Sequence, residues 1–331
     1  MSGRFLPPAG ERGAALLAVL VLVAVMGAMA AAAFDKLRTA TALSGNAAAL
    51  DQARAYAVGI ESLLALRVDD MIAADAGRTT LEGGWHGAVR RIPLPDGRGV
   101  AEASVRDGGN CFNLNGLVQG EPPAGLATRS IGLMQFGALL RVAGVGESEA
   151  DAIAQAAADW ADSDGVPNRE GAEDADYGAR AQPYRAANTL FAEPSELRAV
   201  AGVTPELYER LRPLVCALPT TEGLAINVNT LLPEQAPLLA LLAPDAIGAE
   251  AARAAIAQRP AGGWESGEEF WKVPALRQAQ GRVQTQPQLA TRWFALRLRV
   301  TVDGIEVDET ALLDAREGRA RVAVRRWGSE D

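Results

Sequence analysis

Between Asp159 and Asp176 the chain gathers seven carboxylates, Asp159, Asp162, Asp164, Glu170, Glu173, Asp174 and Asp176, against one base, Arg169. Like charges held this close repel unless water or a cation separates them. Asp162-Ser163-Asp164-Gly165 has two carboxylates that can converge and a glycine that permits the turn, as at the start of a calcium loop, although the complete EF-hand spacing is missing. Hard oxygen ligands suit Ca²⁺ better than zinc or copper. Two readings stand here, a cation site and a solvated acidic loop.

Other chemistry is scarce. A Ser-His-Asp or Cys-His set would have to use His86, the single histidine, and two cysteines cannot build a Cys-rich zinc site. His86 has no partner cluster in the sequence and reads as a surface or hairpin residue. Asn113 with Asn115 and Asn227 with Asn229 form two N-x-N steps, which more often satisfy backbone groups at strand ends than act as ligands. The net charge of -9, from 32 basic and 41 acidic residues, lacks the cationic footprint of a general nucleic-acid binder. No enzymatic activity is expected.

The elements that position these residues begin with a 21-residue run, Ala14 to Phe34, that carries no charge. As a helix it spans roughly 31 Å, about the hydrocarbon thickness of a bilayer. No proline occurs between Pro8 and Pro93. The helix can therefore continue through Leu37, Leu43, Leu50, Ile60, Leu64 and Met71, with Lys36, Arg38, Asp51, Arg54 and Glu61 on its other faces, for about 55 residues in all. An ordinary signal peptide cut near Ala28-Met29-Ala30 is the alternative. Past this export segment, Cys111 and Cys216 read as a disulfide, with two buried free thiols as the alternative.

Downstream, Trp85 to Arg106 reads as a β-hairpin, Val89 and Ile92 against Val100, Ala103 and Val105, turning at Pro95-Asp96-Gly97. Short alanine-rich helices follow over Ser130–Ala143, Ser148–Trp160, Ser195–Val200, Pro205–Leu218 and Ala246–Gln258, with Ser148 as an N-cap. Strict alternation at Phe294, Leu296, Leu298, Val300 and Val302 marks a strand. It turns at Asp303-Gly304 into Ile305–Val307 and at Glu317-Gly318 into Arg321–Trp327, an antiparallel meander. The segment from Ser195 to Tyr208, and more weakly Trp264 to Leu276, looks like a helix-hairpin-helix.

The leader ending Glu11-Arg12-Gly13 before the apolar run resembles the signal of type IV pilins and type II secretion pseudopilins. That resemblance implies cleavage by prepilin peptidase between Gly13 and Ala14 and methylation of Ala14. Most such proteins have glutamate at the fifth mature residue, where this chain has Ala18; the minor pseudopilin K family also lacks it. Further similarity to that family lies in Gly109-Asn110-Cys111-Phe112-Asn113-Leu114-Asn115, Gly171-Ala172-Glu173-Asp174, Tyr184-Arg185-Ala186-Ala187-Asn188, Ser195-Glu196-Leu197 and Ala225-Ile226-Asn227-Val228-Asn229-Thr230.

The resemblance implies an α+β, pilin-like fold: a long N-terminal transmembrane helix and an antiparallel sheet, interrupted by a large all-α insert of SAM-like or helix-hairpin-helix type. The expected divisions are a leader at 1–13, a transmembrane helix at 14–34, a first pilin-like part at 35–127, the insert at 128–286 and C-terminal strands at 287–331. It also implies one or two Ca²⁺ ions on Asp162, Asp164, Glu173 and Asp174, with Asp159 and Asp176 as further ligands. The implied role is a single-pass inner-membrane protein with a cytoplasmic N-terminus and a periplasmic bulk. It would start or cap the pseudopilus tip with minor pseudopilins I and J, and its other partners would be the major pseudopilin, prepilin peptidase and the inner-membrane assembly platform. A periplasmic calcium-binding adaptor, and a pilus or competence protein that binds DNA through the hairpins, are the alternatives.

Overall fold

The computed structural model describes residues 9–328 apart from 96, 122–123, 245 and 284. Helix α1 (Ala9–Ala74) is 66 residues long, about 99 Å at the helical rise. The uninterrupted helix expected past Phe34 is present, as an alanine- and leucine-rich segment without proline favours. Its residues 13–48 are all exposed. Leu37 and Leu43 therefore lie outside the packed stripe on which the apolar pattern placed them.

Packing begins at Ala49 and continues through Ala53, Ala57, Ile60 and Val68. Their spacing keeps one face toward the sheet, and three alanines let helix and sheet approach closely. Glu61, expected on a solvent face, is 2% exposed. It follows Ile60 on the packed side and is held there by a partner described below.

The sheet consists of β1 (Arg90–Pro93), β2 (Gly99–Asp107), β3 (Trp293–Val302), β4 (Ile305–Asp314) and β5 (Arg321–Trp327). They are hydrogen-bonded in that order, all antiparallel. Ile92 pairs with Ala101 in the expected hairpin. Its turn includes Asp96, outside the described residues, although the Gly97 N–H donates to the Leu94 carbonyl at 3.0 Å. β4 runs to Asp314 rather than stopping near Val307. Val307, Ala311 and Leu313 face inward in alternation, but Glu309 stands in the same register and interrupts the apolar pattern.

β2 and β3 are neighbours in space, with Ala103 opposite Leu298, yet residues 108–292 separate them in sequence. That intervening chain forms α2 (Ser130–Val142), α3 (Glu147–Ala161), α4 (Asp174–Gly178), α5 (Pro205–Leu211), α6 (Ala236–Ala240), α7 (Ala249–Ala257) and α8 (Gly267–Trp271), with several 3₁₀ turns. It has its own core, in which the Phe112 and Phe136 rings stack at 5.1 Å over Leu139, Ile153, Leu197 and Leu211. A separate core joins α1 to the sheet.

Several boundaries differ from expectation. α3 starts at Glu147 with Gly146 as its N-cap, so Ser148 lies inside the helix. α5 ends seven residues before Leu218, because Val215–Cys216 leaves the helical path to pair in parallel with Phe112–Asn113. Pro194–Ala199 is a 3₁₀ helix, and α7 begins at Ala249, capped by Gly248.

The insert joins the sheet at one end. The helix contacts show which end it is. Gln52, early in the packed part of α1, accepts from Arg98 at 3.2 Å, beside the β3–β4 turn where Arg98 pairs with Asp303. Asp69, near the end of α1, accepts from the Ala320 N–H at 2.6 Å, between β4 and β5 at the opposite edge. Asp107 and Trp293, from which the insert departs and to which it returns, lie at this second end. The exposed half of α1 and the insert are therefore at opposite ends of the sheet.

Candidate functional site

The acidic loop begins where α3 ends. Asp162 takes an extended backbone conformation after Ala161, while its N–H still donates to the Ala158 carbonyl at 2.8 Å. Asp159, fully buried in the last turn, accepts from the Asn168 N–H at 3.1 Å and the Ala172 N–H at 2.8 Å, which folds the loop back on the helix. A Cβ on Gly171 would lie 1.8 Å from Asp159 Oδ2, so only glycine permits this closure.

The fold brings together three of the six proposed ligands. One carboxylate oxygen each from Asp162, Asp164 and Glu173 lies within 4.8 Å of the others. Asp162 accepts from Thr128 Oγ1 at 3.1 Å, but its Oδ1 and both oxygens of Glu173 are buried without a hydrogen-bond partner. Burial first, then the neighbouring carboxylates, raises Asp162 to about 6 and Glu173 to about 7. Buried acceptors that accept nothing are costly, and a hard dication would satisfy them together. The donor set fits Ca²⁺, whose remaining coordination positions carbonyls or water can fill.

The other three named acids hold the loop in shape. Asp159 is committed as described. Asp174, in the first turn of α4, accepts from the Ala186 N–H at 3.0 Å and lies 3.9 Å from Arg185. Asp176 accepts from the Glu173 N–H at 3.0 Å, which orients the residue carrying the orphaned carboxylate. The side-chain oxygen of Asn188 is also buried without a partner. Its backbone N–H donates to the Trp160 carbonyl at 3.0 Å, two residues before Asp162.

Cys111 and Cys216 form a disulfide with a Cα separation of 5.7 Å across 105 residues. It fastens the parallel strand pair at the base of the insert. The four asparagines act on backbone, as expected. Asn113 donates to the Thr220 and Glu222 carbonyls, and Asn115 to those of Phe191 and Leu218. Asn227 donates to the Thr79 carbonyl, and Asn229 to that of Trp264. Most of these partners are distant in sequence, so the amides join segments as well as ending strands.

Sequence reasoning missed Asp107. Burial raises the pKa of its carboxyl, which accepts from Thr230, Thr291 and the Gly109 N–H. Its only signal was a charged residue closing an alternating strand. His86 is half-buried beside Trp85 and pairs its backbone with Val105.

At the helix-hairpin-helix segment, a Cβ on Gly202 would meet Ile153 at 2.7 Å. This turn is packed against α3 rather than presented as a phosphate cradle. Among the described residues, one helix, α1, is long and apolar enough to cross a membrane, and an 18-residue window of it has mean hydropathy 2.7 with none of it buried. Gly13 and Ala14 are exposed within that helix, and Met1–Pro8 lie outside the described residues.

Two family models described as type II secretion system, protein K, match residues 110–220 and 226–292. Among curated relatives, type II secretion system protein K of Pectobacterium carotovorum is 33% identical over 96% of this chain and 97% of its own length. The Klebsiella pneumoniae protein K is 34% identical with the same coverage. A chain in the crystal structure of the GspK-GspI-GspJ complex from enterotoxigenic Escherichia coli superposes with a TM-score of 0.73 at 34% identity, over 85% of this chain and 97% of that one. The interrupted sheet, the exposed apolar helix and the end-to-end similarity agree, and the chain belongs to the protein K family of the type II secretion system.

Proposed function

We propose that this minor pseudopilin stands at the periplasmic tip of the pseudopilus with minor pseudopilins I and J, and starts or caps assembly of that filament for the export of folded proteins. The carrying observation is the placement of the insert at the end of the sheet opposite the exposed half of α1. With Ala14–Phe34 in the inner membrane, a filament subunit of this shape offers its helix below and a bulky helical body above. Another subunit cannot stack on that body as on a bare pilin head. The role is mechanical, and the chain is not an enzyme.

In this reading prepilin peptidase cuts between Gly13 and Ala14 from the cytoplasmic side, and the mature helix then meets the assembly platform and the major pseudopilin. Ca²⁺ on Asp162, Asp164 and Glu173 would hold the acidic loop against α3, in one or two ions. Support comes from the three converging carboxylates and their unpartnered oxygens.

The experiment is co-purification from membranes of cells expressing this chain with I and J of the same system, alongside an exoprotein secretion assay. Full-length protein should retain I and J and restore secretion to a deletion strain. Protein lacking the insert should lose tip function while its helix still enters the membrane. Secretion that proceeds normally without the chain would overturn the proposal.

A further inference from the structure

Among the described residues, one buried carboxylate without a hydrogen-bond partner lies far from the acidic loop. It is Glu309, fully buried in the middle of β4. From α1, Glu61, 2% exposed, faces the same guanidinium as Glu309, that of Arg325. Arg325 on β5 donates to Glu61 through Nε at 2.9 Å and Nη2 at 2.5 Å, and its Nε lies 3.5 Å from Glu309 Oε1. One guanidinium thus faces two buried carboxylates.

Among the described residues, neighbouring charged groups are engaged elsewhere. On β3 the residue opposite Glu309 is Leu298. Arg299 is paired to Asp308 and Glu306, which alternate with the inward residues of β4. On β5 the opposite residue is Trp327, whose ring is covered by Arg54 of α1 with the guanidinium carbon 5.8 Å from its centroid. Asp69 of α1 is occupied by the Ala320 N–H.

We propose that Glu61, Glu309 and Arg325 form a proton-operated clasp that fastens the edge strand β5 and the centre of β4 to α1. With one proton on the carboxyl pair, Glu309 donates to Glu61, Arg325 neutralises Glu61, and the three groups sum to zero charge. Loss of the proton breaks that donated hydrogen bond and leaves a net negative charge in a buried site, which loosens the clasp.

Burial first, then Glu61, pushes Glu309 from its ordinary 4.5 up to about 7, while Arg325 opposes the rise. Between these values the folded chain binds the proton that the unfolded chain has released. The clasp therefore adds stability as pH falls through about 7, and that contribution is lost as pH rises. It would give the subunit a tighter head at mildly acidic pH and a looser edge strand at alkaline pH.

The test uses the full chain in detergent micelles at pH 5 and pH 8. Glu309→Gln keeps the shape and a donor toward Glu61 without the charge. Its thermal midpoint should lie within about 2 °C of the parent at pH 5 and about 3–6 °C above it at pH 8. In a Glu61→Gln background the pH 8 gain should vanish, because Arg325 then neutralises Glu309. An equal shift at both pH values, or a loss at both, overturns the proposal. Should the variants fail to accumulate, isotope-edited infrared spectra of the unsubstituted chain decide. With only glutamate labelled and Ca²⁺ present to occupy Glu173, a protonated carboxyl band that fades between pH 6 and pH 8 is expected, and its absence at pH 6 overturns the clasp.

Discussion

The carboxylate of Asp107 accepts a hydrogen bond of 2.6 Å from the hydroxyl of Thr230, 123 residues further along the chain. Asp107 closes β2 and Thr230 belongs to the insert, so this contact joins the two cores. Thr291, just before β3, donates to the same oxygen. Asn110 adds to the joint by donating to the Asn227 carbonyl and accepting from the Asn227 N–H.

Removing the centre of that joint should be costly. Asp107→Ala leaves two hydroxyls and the Gly109 N–H without their acceptor, and a loss of about 3–5 kcal/mol is expected. Asp107→Asn keeps an acceptor toward Gly109, and both threonine hydroxyls can turn to accept from its amide, so about 1–2 kcal/mol is expected. Denaturant unfolding measures both, and equal losses would mean that the site needs the negative charge itself.

Calcium should raise the thermal midpoint over EDTA. At a hundredfold excess over Kd the gain is about 2.7 kcal/mol, which is about 5–10 °C for a domain of this size. Asp162→Asn and Glu173→Gln should abolish the shift. Without calcium they should leave stability unchanged or higher, because each removes an unpartnered buried charge. Asp176→Asn should keep most of the shift. Gly171→Ala should lose the loop altogether, its Cβ colliding with Asp159.

The disulfide should contribute by restricting the unfolded chain. A loop of 105 residues between Cys111 and Cys216 corresponds to at most about 4–5 kcal/mol. Replacing both cysteines by serine should lower the denaturant midpoint accordingly. Alkylation of unreduced, denatured protein should modify no thiol, as read by intact mass.

Leader processing is read at the N-terminus. Protein from membranes should begin at Ala14, and Gly13→Leu should accumulate the unprocessed form. A start near Ala31 would favour signal-peptide cleavage and remove the basis for membrane anchoring through α1.

Much of the architecture was legible along the chain because it rests on local rules. The long helix follows from an absence of proline and a charge-free run. The meander follows from alternation between Phe294 and Val302, and the asparagine steps do bind backbone, although their amides reach carbonyls remote in the chain. The acidic loop was legible only as a collection. Seven carboxylates share it, but Asp162, Asp164 and Glu173 are selected by where α3 ends and how Asp159 draws Asn168 and Ala172 back onto the helix. Spacing alone could not separate them from Asp174 and Asp176, which face other backbone groups.

Glu61 and Glu309 show the limit most clearly. On a helix or strand read alone, a glutamate among apolar residues marks a solvent face or an element's end, because a lone carboxylate is too costly to bury. Only when β5 brings Arg325 beside both does burial become tolerable, and that meeting joins residues 264 positions apart. The sequence by itself determined the apolar helix and the interrupted sheet, since these depend on hydrophobic pattern and short-range turn chemistry, and its motifs carried the resemblance to the family. Tertiary structure alone decided which acids converge, which carry a hydrogen-bond debt and which share a proton, because those properties depend on distance and dielectric set by segments remote in the chain.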